Sequence, residues 1–333
     1  MRILRRYGIV APRGPFGYST NSARTSVTRS TLAMVAFAAV ACGDSSAAPS
    51  PTLVDKIVMV TANQGPQEVG VIGADGSGYT ILTTASPGVF SATASPDGRR
   101  IAYTVGTAQL TDQIVIANSD GSNPVNISAP IRMYETQIEW SPDGRQIALA
   151  CADPSDGELR PCVINIDGSG LHTIGYHDMF GANPTWSPDG RRLAFDCRSL
   201  AHPVAFSGYR VCIAAIDGTS IAQIPNTEAG RDEKPNWSRA VNKIAFHRGT
   251  GGLGADGIFV ADADGANAHL VTLSGNEPAW SPDGSQLSYT FTYSDSPSQP
   301  HSTIYVVNAN GGNAHLVSAN WSFESSWFPA RVP

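Results

Sequence analysis

One short phrase recurs along this chain at nearly constant spacing. It reads Ala94-Ser95-Pro96-Asp97-Gly98, Trp140-Ser141-Pro142-Asp143-Gly144, Trp186-Ser187-Pro188-Asp189-Gly190, a reduced Trp237-Ser238, and Trp280-Ser281-Pro282-Asp283-Gly284, with copies 43 to 51 residues apart. A second phrase, an apolar run ending in Asp-Gly, alternates with it at Asp75-Gly76, Asp120-Gly121, Asp167-Gly168, Asp217-Gly218 and Asp264-Gly265, with Asn310-Gly311 as a sixth. A unit of this length cannot bury its own apolar face and must stack on copies of itself.

Turn chemistry gives each phrase a place. In Ser-Pro-Asp-Gly, proline presets the first central φ of a tight turn, aspartate tolerates the second, and glycine accepts a positive φ. The runs that follow, such as Ile101-Ala102-Tyr103 and Leu193-Ala194-Phe195, have the composition of strands buried on both faces. The Asp-Gly phrase then joins a third strand, such as Ile304-Tyr305-Val306-Val307, to a fourth, such as His315-Leu316-Val317, by another hairpin. Each repeat is thus four antiparallel strands, A to D, the blade of a β-propeller.

Counting Asp-Gly-type turns gives six blades, the first of them composite. Asp55 to Thr61 resembles a strand B with no strand A before it, and Glu324 to Pro329 resembles a strand A with no strand B after it. The expected fold is therefore all-β: a six-bladed propeller closed by the C-terminal strand A pairing with the N-terminal hairpin. Closure removes edges that would otherwise pair with other chains.

The Trp-Ser-Pro-Asp-Gly-Arg-x-Ile-Ala-Phe phrase resembles the repeat of TolB-type propellers, relatives of the WD repeat. The resemblance covers about residues 55–333. Ala94 replaces the tryptophan in one copy, and Ser238-Arg239-Ala240-Val241-Asn242 replaces the turn in another without changing its length. What the resemblance implies is a non-enzymatic, protein-binding propeller of the bacterial cell envelope, with no cofactor.

Residues 1–41 hold six arginines and no acidic residue, and end in the apolar run Leu32 to Ala41 ahead of Cys42. A basic region, a short apolar stretch and a small residue before cysteine have the organisation of an export signal rather than a membrane span. Ala39-Val40-Ala41-Cys42 resembles a lipobox, which implies lipidation at Cys42 and a membrane contact made only through that anchor. Val27 is a second candidate for the translation start. Residues 42–54, rich in Ser, Ala and Pro, serve as a linker to the propeller at 55–333. The alternative is a buried first helix. The chain has a formal net charge of -6, and without the basic segment 16 basic residues face 28 acidic ones, which argues against a nucleic-acid partner. A monomeric propeller is expected.

The four remaining cysteines fall in matched register. Cys151 and Cys197 each lie eleven residues after a repeat tryptophan, and Cys162 and Cys212 each lie five before an Asp-Gly aspartate. Both pairs therefore bracket one B to C hairpin, so Cys151 to Cys162 and Cys197 to Cys212 can form disulfides. A four-thiolate metal site and buried free thiols are the alternatives. Export favours disulfides.

In this architecture the A to B and C to D turns share one face and are short; the B to C and D to A loops share the other and all differ. Variable loops on a rigid frame carry specificity. Candidate binding residues there are Tyr134, Glu135, Tyr176, His177, Phe180, Arg231, Glu233, Trp321 and Phe323, of which the aromatics and Arg231 are the types that most often carry interface energy. The alternative is that these aromatics pack beneath their own loops. Three residues before each strand-A tryptophan stand Gln137, Asn183, Lys234, Glu277 and Glu324, with Ser91 equivalent in the second blade, a polar ring near the channel mouth.

No nucleophile elbow, zinc-protease motif, phosphate loop or dinucleotide fingerprint occurs, so no catalytic residue is assigned. His172, His269 and His315 fall on outer D strands, while His177, His202, His247 and His301 belong to the loop face without ligand spacing, so no metal is assigned. Two function classes remain. One is an exported, lipid-anchored scaffold that binds an envelope protein, periplasmic or at the outer membrane. The other is a carbohydrate- or metal-binding propeller resembling the oligogalacturonate lyases, with its site at the channel mouth.

Overall fold

The computed structural model describes residues 55–61, 66–84, 88–107, 111–128, 137–175, 179–199, 208–224, 231–249, 256–296, 299–318 and 322–329, which belong to one compact unit. They form six four-stranded antiparallel sheets. The first blade contains β1 (Lys56–Thr61), β2 (Glu68–Gly73) and β3 (Thr80–Thr84). The second runs β4 (Val89–Ala94), β5 (Arg100–Gly106), β6 (Asp112–Asn118) and β7 (Val125–Asn126). The third has β8 (Glu139–Trp140), β9 (Gln146–Ala152), β10 (Leu159–Asn165) and β11 (His172–Thr173), and the fourth β12 (Met179–Trp186), β13 (Arg192–Ser199), β14 (Arg210–Ala215) and β15 (Ile221–Gln223). The fifth comprises β16 (Arg231–Trp237), β17 (Lys243–Gly249), β18 (Gly257–Asp262) and β19 (His269–Leu273). The sixth comprises β20 (Asn276–Trp280), β21 (Gln286–Ser296), β22 (Gln299–Asn308) and β23 (His315–Ser318). The last strand, β24 (Ser322–Trp327), returns to the first sheet and pairs antiparallel with β1, Ile57 opposite Trp327. The expected six-blade ring and its composite blade are both present.

The apolar residues do not form one core. They form six clusters, each shared by two neighbouring blades. Trp140 of the third blade packs with Ile114 and Ile116 of the second, and Trp186 packs with Ala148 and Val163 of the third. The closing cluster joins Ile304 and Val306 of the sixth blade to Ile57, Met59 and Trp327 of the first. A blade alone exposes two apolar faces, so burial becomes favourable only when the ring is filled.

Hydrogen bonding inside the repeated turn explains its residues. The hydroxyl of Ser95 donates to Asp97 Oδ1 at 2.6 Å and accepts from the Arg100 amide at 2.9 Å, while Asp97 Oδ1 also accepts from the Arg99 amide. Ser141, Ser187 and Ser281 repeat the relay with their own aspartates. These serines are at most 3% exposed, so without the aspartate their hydroxyls would be buried polar groups lacking an acceptor. The glycines sit at φ of 64° to 73°, which a β-carbon would strain. The fifth blade keeps Ser238 but moves the positive φ one residue on, to Asn242 at 49°, whose side chain accepts from Trp237 Nε1.

Both cysteine pairs are disulfides, Cys151 with Cys162 and Cys197 with Cys212, at Cα separations of 5.9 and 5.8 Å. The partners are diagonal rather than directly opposite: Cys151 lies across from Arg160 and Cys162 from Leu149. Each bond ties β9 to β10 or β13 to β14 at the loop-facing end of a hairpin.

Candidate functional site

Strand A of every blade lines the channel, and its inner edge has no strand to pair with, so its amides need other acceptors. In three blades the side chain of the residue before the tryptophan supplies one to the next blade. Trp186 N donates to Glu139 Oε2 at 2.8 Å, Trp237 N to Thr185 Oγ1 at 3.0 Å, and Trp280 N to Asn236 Oδ1 at 3.0 Å. The indoles add a second link: Trp140, Trp186, Trp280 and Trp327 donate from Nε1 to the carbonyls of Thr93, Glu139, Asn236 and Ala279. Polar residues in the bore thus stitch the ring together.

Towards the long-loop face, β12, β16, β20 and β24 carry bulges, and at each bulge a non-glycine residue adopts positive φ: Asn183, Lys234, Glu277 and Glu324, at 45° to 54°. Bulges re-aim side chains. Here they gather the polar ring expected from the repeat. The Lys234 ammonium pairs with Glu277 Oε1, and Glu277 Oε2 accepts from Thr290 Oγ1 and from the Glu324 amide. Burial disfavours the ammonium, but the carboxylates of Glu277 and Glu324 outweigh it and raise the Lys234 pKa. Asp196 of β13 accepts from Asn183 Nδ2 at 2.9 Å and the Lys234 amide at 3.1 Å, and the Gln137 amide donates to Asn183 Oδ1. Asp196 is 4% exposed, and burial, reinforced by Glu233, pushes its pKa up to about 7.

Deeper in the bore, a cavity of about 50 Å³ lined by Ser91, Gln137, Glu139, Thr185 and Asn236 meets a second of about 160 Å³ lined by Trp237, Arg239, Trp280, Trp327 and Pro329. Arg239 comes from the fifth blade's altered turn, where the other blades have proline. Its Nη2 donates to Glu139 Oε1 at 3.3 Å and to the Trp140 carbonyl at 2.8 Å. Burial raises the Glu139 pKa against the opposing pull of Arg239 and Thr185.

On the rim of the fourth and fifth blades, arginines and aromatics interleave. Arg198 lies over the rings of Phe180 at 4.9 Å and Tyr209 at 5.8 Å, and Arg231 over Tyr209 at 4.9 Å. Phe180 and Tyr209 meet edge to face at 5.6 Å. Arg231 Nε pairs with Glu233 at 2.5 Å, and Glu233 stands opposite His247 in the ladder. Burial lowers the His247 pKa. The Tyr209 carbonyl accepts from the Asp232 amide, which fixes the two blades to each other at this point.

Of the residues singled out in the sequence, Glu277 and Glu324 lie in the channel ring, and Phe180, Arg231 and Glu233 lie on the rim. Phe323 is half-buried against the cluster of Val58 and Val60. Cys42, Tyr134, Glu135, Tyr176, His177 and Trp321 lie outside the described residues. His301 stacks on Tyr293 at 5.4 Å in the extended β21–β22 hairpin, away from the ladder position of His247. Sequence reasoning does not single out Glu139, Asp196, Arg198 or Tyr209, and it places Arg239 only as part of the altered turn. Aligned repeats show two of them: Arg239 takes a proline position, and Glu139 is the acid among Thr93, Thr185, Asn236, Ala279 and Ser326. Arg198 stands where β5, β9, β17 and β21 have Gly106, Ala152, Gly249 and Thr292.

No known protein family and no curated protein matches the sequence. Among solved structures, TolB from Acinetobacter baumannii superposes with a TM-score of 0.67 at 16% identity, covering 83% of this chain and 67% of that one. A TolB-type protein from Agrobacterium tumefaciens gives 0.62 at 14%, covering 83% and 99%. Oligogalacturonate lyase from Vibrio parahaemolyticus gives 0.54 at 12%, covering 81% and 83%. Identities this low speak for the fold alone, and the fold is a TolB-like six-bladed β-propeller.

Proposed function

We propose that this protein is a non-enzymatic binding scaffold of the bacterial cell envelope, exported by its N-terminal segment, anchored through a lipidated Cys42, and engaging a protein partner on the long-loop face. The observation that carries the reading is the rim of the fourth and fifth blades. There Phe180, Tyr209, Arg198 and Arg231, side-chain types that concentrate binding energy, sit on a cross-linked, closed frame that needs little reorganisation on binding. The disulfides fit an oxidising compartment. Crosslinking pull-down from envelope tests the reading: a captured protein lost on alanine substitution of Phe180 and Arg231, but not of Asp97 or Asp189, is the expected result. Capture insensitive to the rim assigns recognition to another face. Cys42→Ser should move the protein from the membrane fraction to the soluble envelope fraction with its melt unchanged.

A second reading is a carbohydrate- or metal-binding propeller with lyase-like chemistry at the channel mouth. It rests on the acidic residues Asp196, Glu233, Glu277 and Glu324 around Lys234, with His247 opposite Glu233. Depolymerisation of polygalacturonate by the purified protein, abolished by His247→Ala, would establish it over the scaffold reading.

A further inference from the structure

Among the described residues two arginines each lie over two aromatic rings, and they pair with a described carboxylate in only one case. Arg248 lies over Phe246 at 5.2 Å and Phe259 at 4.6 Å, and its guanidinium fork is filled by Asp232, Nε to Oδ1 at 2.7 Å and Nη2 to Oδ2 at 2.9 Å. Asp232 is fully buried, so this carboxylate belongs to the frame. Arg198 likewise lies over two rings, Phe180 and Tyr209. No carboxylate of the described residues is within ion-pair distance of it, and its Nε is buried with no hydrogen-bond partner. A stacked guanidinium is held flat with its donor edge presented in a fixed direction, the arrangement suited to bidentate capture of a carboxylate.

Three further observations converge on the same edge. The frame has no need of an arginine there, since four other blades place Gly106, Ala152, Gly249 and Thr292 at the same position. Arg231 presses on Tyr209 as well, and with Glu233 on its Nε the ring carries two guanidiniums against one carboxylate, a balance that a second carboxylate completes. Finally, the chain is acidic overall, at a formal net charge of -6, so two guanidiniums beside one carboxylate are a local excess of positive charge on it.

We propose that Arg198, clamped between Phe180 and Tyr209 and seconded by Arg231, is a carboxylate-binding site for an acidic segment of the partner protein. The inference rests on the scaffold reading and narrows it by giving the partner its chemistry. With Nε buried, the Asp or Glu side chain enters on the terminal Nη1–Nη2 edge of the guanidinium, two oxygens on two N–H groups, with the flanking rings holding that edge in place. A planar fork is required, so lysine is a poor substitute.

The test is calorimetric titration of the full chain at physiological ionic strength with a capped glutamate tetrapeptide, its glutamine counterpart and a galacturonate oligomer. The expected result is binding of the glutamate peptide alone, weakened about tenfold by Arg198→Gln and nearly as much by Arg198→Lys. Arg99→Gln, on the opposite face, should have no effect, and thermal melts should show all three variants folded. Equal binding by wild type and Arg198→Gln overturns the site. Binding of the galacturonate oligomer through Arg198, without the peptide, overturns the protein occupant in favour of an acidic polysaccharide. The pull-down separates this proposal from the reading beneath it: a partner captured equally by Arg198→Gln removes the site and leaves the scaffold, whereas Arg198-dependent peptide binding with no captured protein leaves the site and removes the scaffold.

Discussion

Arg239 and Glu139, a hundred residues apart on the fifth and third blades, meet across the bore of the propeller, Nη2 to Oε1 at 3.3 Å. The blade that lost its Pro-Asp-Gly turn is the one that supplies the arginine. A position that elsewhere presets a turn has been exchanged for a cation facing the acid in the channel, and the turn survives because Asn242 takes over the positive φ.

Removing that cation should be costly. In Arg239→Met, Glu139 stays buried without its counter-charge, and because the pair is partly solvent-reached the loss should be about 2 kcal/mol at neutral pH. Its folded pKa then rises further above the unfolded value. The folded state holds the proton more tightly, so the deficit shrinks as the pH falls. Urea unfolding at pH 8 and pH 5 checks this; equal losses at both would mean that Arg239 acts by packing.

Asp196 makes stability depend on pH in its own direction. Its folded pKa of about 7 lies above that of the unfolded chain, so the folded state holds an extra proton between the two values. Stability from this group is full below the unfolded pKa, falls by up to about 1.4 kcal/mol per pH unit in the window, and is flat above pH 7. Asp196→Asn should remove that slope. An unchanged profile in the variant would show that Asp196 is ionised in the fold.

Ring closure should depend on the last strand. Trp327 is 6% exposed in the cluster joining the sixth blade to the first, and its Nε1 donates to the Ala279 carbonyl and Ser288 Oγ, both at 3.0 Å. Trp327→Ala should cost about 3 to 5 kcal/mol, and truncation before Glu324 more. A melting curve unaltered by truncation would contradict closure through β24.

Each disulfide closes a short hairpin, 11 and 15 residues apart in sequence, and should contribute about 3 kcal/mol. Non-reducing peptide mapping should recover Cys151 with Cys162 and Cys197 with Cys212. Double alanine variants of either pair should fold and melt lower; a cross-blade linkage on mapping would be the contrary result.

The ring was legible in the sequence because its information is local and repeated. Ser-Pro-Asp-Gly and Asp-Gly specify turns by φ and by hydrogen bonds to near neighbours, and the register of four cysteines follows once the turns are placed. Even the composite blade could be read, since Asp55 to Thr61 and Glu324 to Pro329 are the missing halves of one repeat. The same periodicity marked Gln137, Asn183, Lys234, Glu277 and Glu324 as a ring, although their positive φ and the Lys234–Glu277 pair were not visible.

What only the tertiary structure decided lies between blades. Glu139 and Arg239 are separated by two blades of sequence, and only closing the circle brings them together. Phe323 has the residue type of a binding contact, yet strand pairing turns it onto Val58 and Val60. Arg198 and Arg248 are both arginines late in a strand B; their difference is whether a carboxylate from the neighbouring strand A reaches them, as Asp232 reaches Arg248. The sequence determined the frame by itself because turns and strands answer to neighbours along the chain. The charge pairs in the channel and the open arginine on the rim answer to neighbours in space, and those exist only when six blades have closed.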